Sequence, residues 1–455
     1  MVAAKFQNPA VKEPSNNYRP DVDGLRAIAV SGVVLYHLHS VDFLPGGFLG
    51  VDIFFVISGF LIAKVILKGI REKNFSFKKF YLRRARRLLP AFFLVAITTS
   101  AAAYVFLEPT RMLDFTHSLL FSTLGLSNFY FMFQDPYWAD SVSTLPFLHT
   151  WSLAVEEQFY LFFPAVLFFA SKLLKGSRLI ILFVVLGFLS LALAYWVSEV
   201  NPTFAFYLFP TRAWELLIGV SLALVLDHAN LRLSKLLAAL LTAVGLILIL
   251  ISYIYLGQFI SAPGILTVVP TFGAALIIVG GITPNLVSRY LGMRLLAGLG
   301  MISYSLYLWH YPILALAEVA ASNSLPIQIV GVGLALVLSV ATYFLVETPF
   351  RRQQWNGLFT TAASATVIST LLFSTTSLIT EGYKSPSNIP FDGVPQAATL
   401  PVPRDAESQL LGAVAIFGDS HMAALAPGLE EKSRSKGLHF FDGTSSGCLF
   451  VVGLA

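Results

Sequence analysis

Two ionisable residues, Arg26 and His37, stand eleven positions apart in the first long apolar segment of the sequence. In a helix they would lie within about 20° of the same face and about 16 Å apart along the axis. A guanidinium binds phosphate through a planar fork of donors, and an imidazole can act as a general base near neutral pH. The alternative is structural: the arginine snorkels to lipid headgroups and the histidine bonds another helix.

Carboxylates occupy two further apolar segments. Asp52 opens the second segment, and a short connection would keep it near His37. Further on, His149, Ser152 and Glu156 follow at i, i+3 and i+7 and therefore share one helical face. An ionised group at membrane depth costs about 2.5–3.5 kcal/mol on insertion scales, so such groups usually face a cavity or a partner. We expect both carboxylates to face a cavity, with a structural polar network as the alternative for the glutamate.

Three other sites carry charge within apolar surroundings. Arg212 and Glu215, at i and i+3, can neutralise each other and are interpreted as structural. His310 stands among aromatic residues toward the outer interface, where a role in the aromatic belt is the alternative to a functional one. Glu347 closes an apolar segment on its basic side, where it would orient a ligand or pair with Arg351.

The composition excludes a soluble globular protein. Of the 455 residues, 56% are hydrophobic and 12% are charged, and the mean hydropathy is +0.74. A membrane span needs about 20 apolar residues. Runs of that kind predict eleven spans, near 22–40, 48–68, 88–107, 145–170, 178–198, 204–226, 235–256, 262–282, 294–318, 326–346 and 357–380. The stretch 116–134 is interpreted as interfacial or re-entrant, because Asn128 interrupts it and polar residues follow.

The distribution of Lys and Arg predicts the orientation in the membrane. With the N-terminus inside, the short cytoplasmic segments hold nearly all of these residues, eight of them between 71 and 87, and Arg111 is the exception. The net charge of +5 is therefore attributed to the topology in the membrane, and we expect no nucleic-acid partner. Residues 1–20 are polar, so we expect no cleavable signal peptide. The single cysteine, Cys448, excludes an internal disulfide framework and a thiolate metal cluster.

The amino-acid composition of the sequence changes after residue 380. Residues 381–410 contain five prolines and are interpreted as a linker. Residues 413–417 and 438–441 have the apolar pattern of strands, and 422–436 have that of a charged helix. They predict the beginning of an α/β domain, of which about 45 residues are present where 100 or more are usual.

As an ordered set, five motifs resemble the acyltransferase 3 family of integral membrane acyltransferases. The run YRPDVDGLR at 18–26, followed by His37, is similar to the family's Arg-x10-His signature. The other four are GFLGVDIFFVISGF at 47–60, RRARRLLP at 83–90, WSLAVEEQFY at 151–160 and ETPFR at 347–351. The resemblance covers about residues 18–352.

This resemblance implies transfer of an acyl group, usually acetyl from cytoplasmic acetyl-CoA, to a hydroxyl of an envelope polysaccharide on the far side. It implies that His37 is the base or acyl relay and that Arg26 holds the donor, whose phosphates need cations at the inner mouth. We take the charged segment 71–87, as a loop, to supply them. The expected catalytic residues are His37, Asp52 and Glu156; the expected donor-binding residues are Arg26, Arg83, Arg86, Arg87 and Glu347; no metal is expected.

Residues 415–421, AIFGDSH, resemble the first block of the SGNH hydrolase family, which occurs fused to acyltransferase 3 domains in polysaccharide O-acetyltransferases. A strand, a sharp turn and a helix would present Ser420 as nucleophile, with backbone N–H groups for an oxyanion. The Asp-x-x-His block that supplies the base in that family is missing, and His421 would face another way. We therefore expect Ser420 to be catalytic only if the domain is completed.

These observations predict an all-α polytopic membrane protein of about 11 helices followed by a linker and an incomplete α/β domain. The expected boundaries are a cytoplasmic tail at 1–21, a membrane acyltransferase domain at 22–356, a last span at 357–380, a linker at 381–410 and an SGNH-like portion at 411–455. We expect the plasma (inner) membrane, with the C-terminal domain periplasmic or extracellular. The oligomeric state is left open.

Several functions remain open at this point. The favoured acceptor is an envelope polysaccharide or lipid-linked glycan, above all the O-antigen of lipopolysaccharide, since a fused SGNH module suits a surface glycan. Peptidoglycan or a small molecule is the alternative acceptor. From other classes, a secondary transporter would explain the charges at membrane depth, although we find no internal repeat, and a non-catalytic scaffold would make His37 dispensable.

Overall fold

A computed structural model describes residues 18–38, 44–134, 144–229, 231–258, 265–321, 324–352, 413–418 and 439–444. The chain divides into two units, Met1–Lys384 and Ser385–Ala455. Most of the predicted cytoplasmic tail, the predicted last span, the predicted linker and Ser420 lie outside the described residues.

The first unit is built from helices of very unequal length. In chain order they are α1 (Pro20–Tyr36), α2 (Gly50–Arg71), α3 (Phe77–Phe106), α4 (Pro109–Thr123), α5 (Ser127–Met132), α6 (Thr150–Leu173), α7 (Ser177–Val200), α8 (Pro202–Tyr207), α9 (Phe209–His228), α10 (Lys235–Tyr255), α11 (Val268–Gly280), α12 (Leu286–Leu291), α13 (Arg294–Met301), α14 (Ser303–Ala320), α15 (Leu325–Thr342) and α16 (Thr348–Arg351). Short 3-10 turns cover Gly47–Leu49, Leu256–Gln258 and Ile265–Thr267, and a π-helical turn at Tyr343–Glu347 joins α15 to α16.

Seven helical segments within the described residues are long and apolar enough to cross a membrane. They are Gly47–Arg71, Phe77–Phe106, Thr150–Leu173, Ser177–Val200, Pro202–His228, Lys235–Tyr255 and Leu325–Arg351. A mostly helical membrane unit is therefore confirmed. The number of eleven spans stays a prediction.

The basic segment before Pro90 is helical, which corrects the prediction of a loop that extends to residue 87. The helix α3 already begins at Phe77, because the hydroxyl of Ser76 accepts the backbone N–H of Lys79 at 3.4 Å and caps the first turn. Arg and Lys are also good helix formers. Residues 83–87 are consequently spaced by helical geometry, so they point in different directions.

Two other stretches are each divided between two helices, one of them a predicted continuous span and the other the stretch interpreted as interfacial or re-entrant. The predicted span 294–318 is divided into α13 and α14 at Ile302. The stretch 116–134 forms parts of α4 and α5, and the chain turns between them at Gly125, whose φ of +68° is readily adopted only by glycine. Its position relative to the membrane stays a prediction.

Close backbone contacts place α1, α2 and α9 together. A side chain at Gly59 of α2 would meet the backbone of Leu216, and one at Gly219 of α9 would meet the backbone of Val56. Such small residues let two helices approach in a membrane. The helix α1 packs against α2, α13 and α14, and α14 packs against α3 and α15. These packings bring α1, α2, α6, α9 and α14 around the same interior.

In the second unit, two parallel strands are described. They are β1 (Ala413–Gly418) and β2 (His439–Thr444), paired from Ala413 opposite His439 to Gly418 opposite Thr444. They coincide with the two strands expected from the apolar pattern. A parallel pair needs a crossover connection of a dozen or more residues, which the intervening chain is long enough to supply. The SGNH fold stays a prediction.

Candidate active site

One cavity lies beside the end of α1 and holds His37; we call it the histidine cavity. It encloses about 1100 Å³ of open space. Its polar lining consists of His37, Asp52, His149, Arg212, Tyr36, Tyr207, Tyr307 and Tyr311, and aromatic side chains such as Phe48, Trp151 and Phe206 complete the wall. Asp52 thus lies in the same cavity as His37, as the sequence predicted.

The ring of His37 has a defined orientation. It follows directly after α1, and its Nδ1 lies 2.9 Å from the carbonyl oxygen of Val33, one turn earlier. A carbonyl only accepts, so Nδ1 donates and, in the neutral ring, Nε2 carries the lone pair. This arrangement suits a general base, because one nitrogen is anchored by the backbone and the other is basic.

Two more histidines lie next to His37, and sequence reasoning recognised neither as a partner of it. The ring centroid of His310 is 5.3 Å from that of His37, and His149 is 5.5 Å from His310. His310 is fully buried, which does not fit a residue of the aromatic belt. Its Nδ1 donates to the carbonyl of Tyr307 at 2.7 Å. In the sequence, each of these histidines could be noticed because it stands in or beside an apolar segment. Their spacing could not show that they lie close together, because they belong to three separate helices.

Asp52 is held by a buried charge cluster. The Nη2 of Arg212 lies 3.0 Å from Asp52 Oδ1, and its Nε lies 3.2 Å from Glu215 Oε1. All three residues are at most 1% exposed. The guanidinium also lies 5.4 to 5.8 Å from the ring centres of Phe55, Trp151 and Phe206. The sequence suggested that Arg212 neutralises Glu215. In the structure it also anchors Asp52, which lies on a different helix.

A second cavity, the arginine cavity, lies at the other end of α1. It comprises about 850 Å³ of space, open solvent included, and has apolar walls that include Phe54, Leu61 and Leu153. Its polar lining consists of Arg26, Arg84, Arg87, Ser58, Ser152, Glu156, Tyr160, Tyr304 and Tyr307. Because α1 is continuous from Pro20 to Tyr36, Arg26 and His37 are separated by about 16 Å along its axis.

Glu156 is the acceptor of a hydrogen-bond network in the arginine cavity. Its two carboxylate oxygens accept from Ser58 Oγ and Tyr160 Oη, each at 2.8 Å. Arg84 lies 3.9 Å from the same carboxylate, and its guanidinium lies 3.2 Å from the centre of the Tyr160 ring. Glu156 therefore faces the cavity as predicted, where it orients Arg84.

Arg26 is positioned by Asp23 in the first turn of α1, which is in turn held by Tyr18 just before the helix. Its Nη1 lies 3.3 Å from Asp23 Oδ1, and Tyr18 donates to the other carboxylate oxygen of Asp23 at 2.9 Å. Burial, together with this hydrogen bond, raises the pKa of Tyr18 to about 12. The phenol therefore keeps its proton at neutral pH and continues to support Asp23.

The other predicted donor-binding residues on α3 differ in whether they line the arginine cavity. Arg87 lines the arginine cavity, whereas Arg83 is exposed and Arg86 is not part of the lining. Arg84, which the sequence did not single out, lines it instead. The helical path of α3 allows Arg84 and Arg87 to line the cavity together, because they are i, i+3 neighbours.

Glu347 is buried behind the arginine cavity and does not line it. It ends the π-helical turn, accepts a short hydrogen bond from Ser305, and interacts electrostatically with Arg87 and Arg26. Such π-helical turns often mark functional sites. The predicted role in donor binding would thus be exerted through the two arginines.

The two cavities meet at Tyr307. This residue and Val51 line both cavities. The hydroxyl of Tyr307 lies 2.7 Å from Ser152 Oγ and donates to the carbonyl of His149 at 2.9 Å. Positions 149, 152 and 156 were expected from their spacing to share one helical face, and that face of α6 runs from one cavity to the other. Within the described ranges, no group of three or more His, Cys, Asp or Glu side chains is arranged to hold a metal ion.

Comparison with known proteins gives two domain matches. The acyltransferase domain family matches residues 19–346, and the SGNH domain that is fused to such domains matches residues 395–455. Peptidoglycan O-acetyltransferase OatA of Listeria monocytogenes is 34% identical over 367 residues, covering 76% of this chain and 58% of that protein. O-acetyltransferase OatA of Staphylococcus aureus is 30% identical over 354 residues, covering 74% and 58%. The chain thus spans less than two thirds of these relatives, and no solved structure matches it.

Proposed function

We propose, because this chain belongs to the acyltransferase domain family, that it transfers an acetyl group from a coenzyme A thioester to a hydroxyl of an envelope glycan. The family resemblance inferred from the motifs is confirmed for both domains. Membership of an enzyme family argues against the transporter and the scaffold. The observation that carries the proposal is the pair of cavities on α1, one lined with arginines and one with histidines, which meet at Tyr307.

The arginine cavity suits the donor. Arg26, Arg84 and Arg87 can bind phosphate groups, to which arginine forms strong charge-assisted hydrogen bonds. The apolar wall formed by Phe54 and Leu61 can receive the less polar part of the donor that bears the acyl group. The basic residues also support our proposal that this cavity opens to the cytoplasm.

The histidine cavity suits the acceptor. In the proposed reaction, Nε2 of His37 takes the proton of the acceptor hydroxyl while the hydroxyl oxygen attacks the acyl carbonyl. The bond from carbonyl carbon to sulfur breaks, and the thiolate leaves with the electron pair and is then protonated. The products are an acetyl ester and a free thiol. The carbonyl of Val33 holds the ring in the required tautomer.

Peptidoglycan is the acceptor we propose. The sequence favoured the O-antigen of lipopolysaccharide, but the relative from Listeria monocytogenes is named a peptidoglycan O-acetyltransferase. For the second unit, once its domain is complete, we propose that Ser420 Oγ attacks the acetyl ester formed at His37, that the first hydroxyl leaves with the serine proton, and that the acetyl group then passes from Ser420 to a peptidoglycan hydroxyl. The support is the SGNH match over 395–455 and the Gly-Asp-Ser-His motif after β1.

The test measures ester-linked acetate in cells that produce the complete protein. Peptidoglycan and surface polysaccharide are purified separately from wild type, His37→Ala and His228→Gln, the last an exposed histidine at the end of α9. Loss of a general base lowers rates by about 100-fold or more, so we expect peptidoglycan acetate to disappear in His37→Ala and to persist in His228→Gln. Unchanged acetate in His37→Ala would contradict the catalytic proposal. Loss of acetate from the other polysaccharide alone would contradict the proposed acceptor.

A further inference from the structure

A third cavity lies against α2 and the end of α9, and the proposed reaction does not use it. It encloses about 1190 Å³ of space open to the surface, and we call it the lysine cavity. Its basic lining residues are Arg19, Lys64, Lys68 and Arg71, and the acidic residue in its lining is Asp227. None of these residues lines the arginine cavity or the histidine cavity.

Three of the cations lie on one face of α2. Lys64, Lys68 and Arg71 follow at i, i+4 and i+7, so they form a row along the helix. Lys64 lies seven residues before the last residue of α2, which is about 10 Å along the axis. It is therefore a lysine set well inside a membrane-spanning segment, beside a cavity.

Lys64 differs from its neighbours in its charge partners. Arg71 pairs with Asp227 at 2.7 Å, Lys68 lies 3.8 Å from Glu72, and Arg19 pairs with Asp21 at 2.6 Å. Among the residues that the structure describes, Lys64 has no carboxylate within 4.0 Å, and its ammonium lies 5.6 Å from the centre of the Phe60 ring. It is thus the cation of this cavity that forms no ion pair with a described carboxylate, and Asp21 interacts with it over a longer distance.

Apart from Tyr18, the remaining wall of the cavity is apolar. It is formed by Phe60, Leu67, Ala223, Leu226, Ala229, Leu231 and Ile282. A ligand that satisfies both parts of the site has a phosphate at one end and hydrocarbon next to it, as a phospholipid does. Basic pockets between helices on the cytoplasmic side of membranes are suited to anionic lipid headgroups.

We propose that the lysine cavity binds the headgroup phosphate of an anionic phospholipid, with Lys64 as the main ligand and Lys68 one turn away as the second. The acyl chains then lie along the apolar wall. The same helices, α2 and α9, carry Asp52 and Arg212, so a bound lipid stabilises the helix pair that supports the histidine cavity. This proposal is independent of the acyltransferase reaction.

The test compares lipid affinity in matched lysine variants of the complete protein, held in phosphatidylcholine nanodiscs. Phosphatidylglycerol is titrated against wild type, Lys64→Gln, Lys64→Arg and Lys172→Gln, and bound lipid and thermal unfolding are measured. Lys172 is the control because, like Lys64, it lies beside an aromatic ring, 4.3 Å from the centre of Phe168, and does not line this cavity. Loss of one basic side chain near a membrane surface is expected to weaken binding about fivefold.

We expect phosphatidylglycerol to raise the unfolding temperature of wild type, Lys64→Arg and Lys172→Gln, and to raise that of Lys64→Gln much less. Equal affinity in Lys64→Gln and wild type would overturn the proposal. Inorganic phosphate and coenzyme A form a second arm, because both carry phosphate without lipid chains. If they stabilise the protein through Lys64 and the lipid does not, the site belongs to a soluble phosphate compound and the lipid proposal fails.

Discussion

At the scale of single residues, the histidine cavity separates a group that can perform chemistry from a group that holds the site together. His37 has its Nδ1 on the carbonyl of Val33, which leaves Nε2 as the basic nitrogen. Asp52, in contrast, is paired with Arg212 in a cluster with Glu215. We therefore assign Asp52 a supporting role and keep the catalytic role for His37, although the sequence suggested both as catalytic.

The charge cluster makes a prediction about stability. Arg212→Met removes the cation that pairs with two buried carboxylates, and breaking a buried ion pair in this way costs about 3–5 kcal/mol. Asp52→Asn is expected to cost less, because Arg212 still pairs with Glu215. Unfolding of purified protein by sodium dodecyl sulfate measures both losses. The exposed arginine at the start of α7, in the variant Arg178→Met, is the control and should change little. A larger loss in Asp52→Asn than in Arg212→Met would contradict this description of the cluster.

The residues found from the sequence and those missed differ in one respect. The spacing of Arg26 and His37, and of positions 149, 152 and 156, could be recognised because each set lies on one continuous helix. The contact of His37 with His310, and of Asp52 with Arg212, joins helices that are far apart in the sequence. Helical periodicity carries no information about such pairs, so only the packing of the helices could reveal them.

At the scale of elements, the start of α3 decides which arginines face the donor. As a loop, the basic segment would offer all of its charges to one ligand. As a helix capped by Ser76, it directs Arg84 and Arg87 into the arginine cavity and leaves Arg83 exposed. The start of α3 could not be predicted from apolar runs, because its first turns are basic.

The contact between α2 and α9 makes a second prediction. A Cβ at Gly219 would overlap the backbone of Val56, whereas one at Gly333 of α15 would meet no atom within 4 Å. Gly219→Ala is therefore expected to destabilise the protein by about 1–3 kcal/mol through overpacking. Gly333→Ala is expected to be neutral or slightly stabilising, because alanine favours a helix over glycine. Thermal unfolding of the two variants compares them directly, and equal unfolding temperatures would contradict the close approach of these helices.

At the scale of the whole molecule, α1 relates the two cavities. It carries Arg26 near one end and is followed at the other end by His37, so the proposed donor-binding arginine and the proposed base are held about 16 Å apart along one helix. We propose that the acyl end of the bound donor reaches His37 at Tyr307, where the two cavities adjoin. The motifs identified the family correctly, but the acceptor they suggested was the O-antigen, and the name of a relative favours peptidoglycan. The motifs supply the proposed base and part of the wall of the histidine cavity, and nothing in their residue types selects one glycan over another.

The most direct test of the two proposed roles, donor binding in the arginine cavity and base catalysis by His37, measures donor affinity and acyl transfer separately in the same purified protein. Binding of acetyl-CoA is titrated in nanodiscs, and release of free thiol is followed after addition of a peptidoglycan fragment. The variants are His37→Gln, Arg87→Gln and Arg83→Gln, of which the last removes an exposed arginine from the same helix.

We predict that Arg87→Gln weakens donor binding about tenfold or more, since a hydrogen bond to a charged group contributes about 1.5–3 kcal/mol. Arg83→Gln should bind and transfer as wild type does. His37→Gln should bind the donor with unchanged affinity and release no thiol in response to acceptor. If His37→Gln lost donor affinity, or if Arg87→Gln kept it, the assignment of donor binding and base catalysis to two separate cavities would be contradicted.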